Sequence, residues 1–144
     1  MGRASKRMQR KAKMELKEQV TVEILPEEIY TAVDIAKGYK EEGKYNEAME
    51  TLLSTFEKYG VKNITAYEVA EVYYSSGDYE KTATWCENTM NVDSSYIPTY
   101  LLLTKLALLQ DQQDNALALL EKSCHIAGGD MTLYSETLLE LMQI

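Results

Sequence analysis

The segment GKYNEA at residues 43–48 recurs as GDYEKT at residues 77–82, a distance of 34 residues along the chain. The segment DQQDNA at residues 111–116 keeps the same spacing, although it retains only the small residue at its end. Self-similarity at a fixed period of this length is typical of helical repeat proteins. One such unit cannot bury its apolar face alone, so the units must stack and form an extended, curved surface. The sequence therefore predicts a binding scaffold.

The composition is that of an ordinary folded domain. The chain has 144 residues, of which 45% are hydrophobic and 26% are charged. This length is sufficient to bury a core without disulfides or a metal ion. The two cysteines, Cys86 and Cys124, form no spaced framework, and no apolar run reaches the roughly 20 residues that a membrane-spanning helix needs. We therefore expect a cytoplasmic protein.

The net charge of −8 is divided unevenly along the chain. Residues 1–18 contain seven basic and two acidic side chains, whereas the rest contains eight basic and 21 acidic ones, giving +5 and −13. An acidic body disfavours nucleic acid, because contacts to phosphate need clustered positive charge. Only the basic arm, residues 1–19, has the clustered positive charge that such contacts need.

Helical periodicity and turn residues predict seven helices. Gly43 and Gly77 are placed to turn the chain between the two helices of a pair, and Pro26 suits a helix start. Residues 20–25 are rich in β-branched side chains and are expected to form a connector that lies along the first helix. The predicted helices span about 27–42, 45–58, 62–75, 79–91, 97–110, 113–127 and 130–143.

Small residues are expected to face each other within every pair. Small side chains on both helices allow the helix axes to approach closely, as a tight hairpin requires. The facing positions on the first helices are Ala36, Ala70 and Thr104, and those on the second helices are Ala48, Thr82 and Ala116.

This pattern resembles the tetratricopeptide repeat. The first repeat matches at Ile35, Ala36, Tyr39, Gly43, Tyr45, Ala48 and Leu52. The second matches at Val69, Ala70, Tyr73, Gly77, Tyr79, Thr82 and Cys86. The third is degenerate, with Leu103, Thr104, Ala107, Asp111, Gln113, Ala116 and Leu120 at the same positions. The family's frequent early Trp and closing Pro are absent from the matching positions.

The resemblance implies an all-α, right-handed solenoid with a basic arm and connector (1–25) and a repeat domain (26–144). Its repeats would span about 29–62, 63–96 and 97–130, followed by a packing helix at 131–144. The first helices of a tetratricopeptide domain line a concave groove. The residues that the register places there are Tyr30, Val33, Lys37, Lys40, Tyr67, Glu71, Tyr74, Leu101, Lys105 and Leu108.

The groove residues favour a protein ligand with apolar anchors and some acidic residues, because they combine tyrosines, aliphatic side chains and lysines. Family members that clamp a C-terminal carboxylate use Lys, Asn and Arg at five positions. Those positions here are Val33, Lys37, Glu68, Pro98 and Leu102, none with the expected residue. A clamp for chaperone tails is therefore not expected.

The remaining site signals favour structural roles. Cys86, Cys124 and His125 supply at most three metal ligands from separate places, and adjacent Cys124 and His125 diverge by about 100° on a helix. The Gly128-Gly129-Asp130 sequence is interpreted as a helix end followed by a helix start. Trp85 is expected to pack on the outer face. Tyr39, Tyr45, Tyr73, Tyr79 and Tyr100 are expected in the core, since they occupy repeat-defining positions.

We therefore expect a non-enzymatic interaction module, an adaptor or assembly factor with no cofactor or metal. Two alternatives remain: a small chaperone for a secreted or aggregation-prone client, and the N-terminal regulatory domain of a larger enzyme. The basic arm has three interpretations: a solvated tail, a tether to nucleic acid or anionic membrane, and a strand that docks on the acidic body. An RNA-associated role would show steep salt dependence that requires residues 1–19.

Overall fold

The computed structural model describes residues 25–128, which form six α-helices. In chain order these are α1 (Glu27–Glu41), α2 (Tyr45–Tyr59), α3 (Asn63–Ser76), α4 (Tyr79–Val92), α5 (Ile97–Leu109) and α6 (Gln113–Ile126). Each end lies within one residue of the sequence-based prediction. The predicted arm, its connector up to residue 24 and the predicted last helix lie outside the described residues.

Left-handed backbone at one repeated position turns the chain within each pair of helices. Gly43 has φ of 76° and Gly77 has φ of 85°, and the matching residue of the third repeat, Asp111, has φ of 60°. Glycine adopts this conformation without steric cost, whereas other residues pay roughly 1–2 kcal/mol. The degenerate third repeat therefore keeps the turn geometry without the glycine.

The helices form three antiparallel hairpins, α1–α2, α3–α4 and α5–α6, which stack in a right-handed solenoid. The most extensive helix contacts are those inside each hairpin. The first helices also contact one another, α1 with α3 and α3 with α5. The second helices α2 and α4 contact the first helix of the next hairpin, α3 and α5 respectively. The first helices thus form a continuous inner layer.

The hairpin cores are built around the small residues that the sequence placed face to face. Ala36, Ala70, Thr104, Ala48, Thr82 and Ala116 are all buried. Larger apolar side chains close the core around them, among them Leu52 and Val69 in the first cluster and Leu102 in the second. Burial of these groups is the main source of the free energy of folding.

The five tyrosines expected in the core differ in their burial. Tyr100 is fully buried, and its hydroxyl donates to the Ser94 carbonyl at 2.5 Å. Tyr39, Tyr45 and Tyr73 are half-buried. The expectation for Tyr79 was wrong, because its side chain is 41% exposed. Tyr79 is the first residue of α4, where the chain has only just left the turn.

In the described residues, no helix has the length and apolar character that crossing a membrane demands.

Leu52 and Leu53 provide a matched test of the packing. Leu52 is completely buried, whereas Leu53 is 43% exposed. We expect Leu52→Ala to lower the free energy of unfolding by about 2–5 kcal/mol, because it leaves a cavity in the core. Leu53→Ala should change it by less than about 1 kcal/mol. Urea unfolding followed by circular dichroism measures both, and equal losses would contradict the packing.

Candidate functional site

The residues assigned to the groove lie on the three inner helices, and most of them are accessible. Tyr30 and Lys37 on α1 are exposed. The other accessible members are half-buried: Lys40, Tyr67, Glu71, Tyr74, Leu101, Lys105 and Leu108. Val33 is the exception and requires a correction. It is buried in the first hairpin's core and is not available to touch a ligand.

An ion pair joins the first two inner helices. The Lys40 ammonium on α1 lies 3.1 Å from a carboxylate oxygen of Glu68 on α3, and the side chains are 17% and 2% exposed. Burial raises the pKa of Glu68 above its ordinary value, although Lys40 and Lys37 favour the charged form. The pair links α1 to α3, and it engages the positive charge of Lys40 in a contact inside the protein.

Tyr67 and Tyr96 form the aromatic centre of the same face. Their rings meet edge to face, with centroids 5.7 Å apart, and the Tyr67 hydroxyl donates a hydrogen bond to Glu71. Burial, then the charge of Glu71 and this hydrogen bond, raise the pKa of Tyr67 well above its usual range. Tyr67 is therefore a neutral donor at physiological pH, held in one orientation by Glu71 and Tyr96.

A second aromatic pair lies near the other end of α3. The rings of Tyr74 on α3 and Tyr79 on α4 are tilted, with centroids 5.7 Å apart. The third hairpin adds Leu101, Lys105 and Leu108 to the accessible set, all from α5. The accessible groove side chains are therefore mainly lysines on α1, mainly tyrosines on α3, and two leucines with one lysine on α5.

Sequence reasoning missed two contributors. Tyr96 immediately precedes α5, outside the helical register that was used to select groove positions. Glu68 was considered only as an obstacle to a carboxylate, and its ion pair with Lys40 was not anticipated. The sequence offered a signal only for Glu68, a charged residue between the apolar Tyr67 and Val69, whereas Lys40 lies next to Glu41 and Glu42.

The cysteines and the histidine do not assemble into a site. Cys86 is buried in the second hydrophobic cluster, and Cys124 is half-buried. Burial raises the pKa of Cys86 to about 12, so it remains a protonated thiol at neutral pH. Among residues 25–128, no three side chains of His, Cys, Asp or Glu are grouped as metal ligands. Gly128, with φ of 77°, follows the end of α6 as a left-handed glycine.

Comparison with solved structures identifies the architecture. One similar structure is the second TPR domain of Spaghetti (RPAP3), solved bound to the HSP90 peptide SRMEEVD. The two are 19% identical, the match covers 69% of this chain and 93% of that domain, and the TM-score is 0.59. No protein-family model and no curated protein sequence matches the chain. The fold is accordingly that of a tetratricopeptide-repeat domain.

The Lys40–Glu68 pair generates a prediction with a defined pH dependence. Lys40→Met leaves the Glu68 carboxylate buried without its cation, so we expect a loss of about 2–3 kcal/mol in unfolding free energy at neutral pH. A carboxyl whose folded pKa is raised contributes stability below its ordinary pKa of 4.5 and loses it as the pH rises through the folded value. The deficit of Lys40→Met should therefore shrink as the pH falls through the raised pKa of Glu68 toward 4.5, and it should be smallest below 4.5.

The matched control is Lys37→Met, since Lys37 is exposed on the same helix. It should cost less than about 0.5 kcal/mol. Urea unfolding at a series of pH values measures both variants. Lys40→Met with wild-type stability at neutral pH would contradict the ion pair's structural role.

Proposed function

We propose that this chain is a non-catalytic, cytoplasmic adaptor or assembly factor that binds a segment of another protein along its inner layer. The observation that carries the proposal is the row of partly accessible side chains on α3 and α5, namely Tyr67, Tyr74, Leu101 and Leu108. Large aromatic and aliphatic groups that remain partly accessible at adjoining helices are the usual anchors of protein interfaces.

The charges along the inner layer define the ligand further. Glu68 neutralises Lys40, so Lys37 and Lys105 are the inner-layer lysines that the proposal assigns to ligand recognition. They lie on α1 and α5, on either side of the aromatic centre. A ligand with apolar residues flanked by acidic residues would complement this arrangement, and charge pairs of this kind contribute chiefly to partner selection and association rate.

The ligand we propose is an internal segment of its protein, bound without a terminal carboxylate. The register match assigns five positions of this chain to carboxylate clamping, and three of those side chains are buried: Val33, Glu68 and Leu102. Glu68 is also engaged with Lys40, and as a carboxylate it offers no hydrogen-bond donor to a terminal carboxylate. Affinity would therefore come from side-chain anchors.

A pull-down from native lysate with identification by mass spectrometry tests the proposal. The bait pair is the wild-type chain and a triple variant, Tyr74→Ala, Leu101→Ala and Leu108→Ala. Truncating interface anchors costs about 1 kcal/mol or more each, so we expect the variant to lose the partner. A synthetic segment of the partner, titrated by calorimetry, then gives the change in Kd.

The control bait carries Leu53→Ala and Leu117→Ala, because these leucines are 43% and 58% exposed on the second helices of their hairpins. It should capture the partner like the wild type, and all baits should show the same helical circular dichroism. A partner retained by the triple variant and lost by the control would overturn the groove assignment. A partner that aggregates unless bound would favour the chaperone alternative.

A further prediction of this proposal concerns the peptide SRMEEVD. We expect no saturable binding of this peptide to the wild-type chain in fluorescence anisotropy, because Glu68 is buried where the clamp would need an amide or a cation. The same peptide with an amidated C-terminus is the control for carboxylate recognition. Saturable binding that amidation abolishes would show that the chain does clamp a terminal carboxylate.

A further inference from the structure

The outer face of the first hairpin carries a shallow cavity of about 360 Å³ that none of the groove residues lines. Its described lining consists of Glu27, Glu28, Thr31, Ala32 and Ile35 from α1, with Thr51 and Ser54 from α2. Both helices of the hairpin contribute, so the cavity lies between them. This face points away from the second hairpin.

The equivalent face of the second hairpin is covered by a neighbouring hairpin. A shift of 34 residues converts Thr31, Ala32 and Ile35 into Thr65, Ala66 and Val69 on α3, and these three are completely buried. The first hairpin covers them, because its α2 packs against α3. In the first hairpin, Ile35 is instead 48% exposed. The face therefore has the position of a stacking surface, with no described residue covering Ile35.

The cavity suits an apolar occupant in spite of its hydroxyl groups. The hydroxyls of Thr31, Thr51 and Ser54 donate to carbonyls of their own helices, to Glu27 at 3.1 Å, Glu47 at 2.8 Å and Thr51 at 2.8 Å. Because each hydroxyl proton is already donated within its helix, these side chains do not require a polar partner from an occupant. With Ala32 and Ile35 they make a predominantly apolar surface.

The rim of the cavity is acidic. Of the seven described lining residues, Glu27 and Glu28 carry negative charge and none carries positive charge. Lys58 engages Glu28 at 2.8 Å from outside this set. The N-terminal arm has the opposite character, with a net charge of +5 over residues 1–18. Opposite net charges of this size draw two parts of one chain together at low salt.

Chain connectivity joins the arm to the described chain close to the cavity. Leu25 is buried directly before α1, and the cavity begins two residues later at Glu27. The 24 preceding residues are ample to run beside α1, whose 15 residues span about 22 Å. They also carry apolar side chains that could enter the cavity: Met8, Met14, Leu16, Val20, Val22 and Ile24.

We propose that residues 1–24 of this chain cover the outer face of the first hairpin, with apolar side chains over Ile35 and basic side chains near Glu27 and Glu28. The arm then serves as the N-terminal cap of the solenoid. This inference is independent of ligand binding by the inner layer. It selects the docked arm from the three interpretations that the sequence left open.

Paramagnetic relaxation in the full chain tests the proposal. A nitroxide is attached at Ser54→Cys in a Cys124→Ser background, while Cys86 is left in place because it is completely buried. We expect amide signals of residues 8–16 to lose most of their intensity. Raising the salt concentration should restore part of it. The control label, at exposed Thr84→Cys on α4, should leave these signals unchanged.

Two variants separate docking at the cavity from other causes. Adding Ile35→Asp to the labelled chain should restore the signals of residues 8–16, whereas Leu53→Asp, also on the first hairpin and similarly exposed, should not. Unperturbed signals in the chain labelled at residue 54 would overturn the proposal. So would signal loss that appears when an unlabelled, isotope-enriched chain is mixed with spin-labelled chains, because the occupant would then be a second copy.

Discussion

The close approach of two helices within each hairpin is the constraint on which the rest of the structure depends. Ala36 and Ala48 lie in one core cluster, and the corresponding residues of the other hairpins are equally buried. A larger side chain at any of these positions would separate the helices. It would also shift the inner-layer residues that the neighbouring hairpin contacts. The dimensions of the inner surface are thus set by side chains that a ligand never touches.

Threonine occupies two of these six packing positions without leaving its hydroxyl unsatisfied. Thr82 and Thr104 donate to carbonyls four residues earlier, at 2.8 Å and 2.7 Å. Such a bond removes most of the desolvation cost of a buried hydroxyl. Threonine can then replace alanine in a small-residue contact. This explains how the repeat tolerates both residues at one position while keeping the hairpin geometry.

The fold was predictable because it depends on spacing, which a single sequence displays directly. The 34-residue period placed the helix ends and the small-residue contacts, and a left-handed turn at Asp111 shows that even the degenerate repeat obeys it. The candidate site was less predictable, because accessibility depends on neighbours from other hairpins. Register alone assigned Val33 to the groove, but packing buries it. Register also could not show that Glu68 would neutralise Lys40, since 28 residues separate them along the chain.

The solenoid has two joints, which are the interface between the first and second hairpins and the interface between the second and third. At the first joint, Phe56 of α2 stacks on Trp85 of α4, with ring centroids 5.7 Å apart and planes 20° from parallel. The equivalent positions at the second joint are Met90 and Leu119, whose flexible aliphatic chains lack a flat surface. The second joint has an aromatic contact of another kind, the edge-to-face pair of Tyr67 and Tyr96. Bending the solenoid at either joint would therefore disturb one aromatic contact, a stack between second helices at the first joint and an edge-to-face pair beside the inner helices at the second.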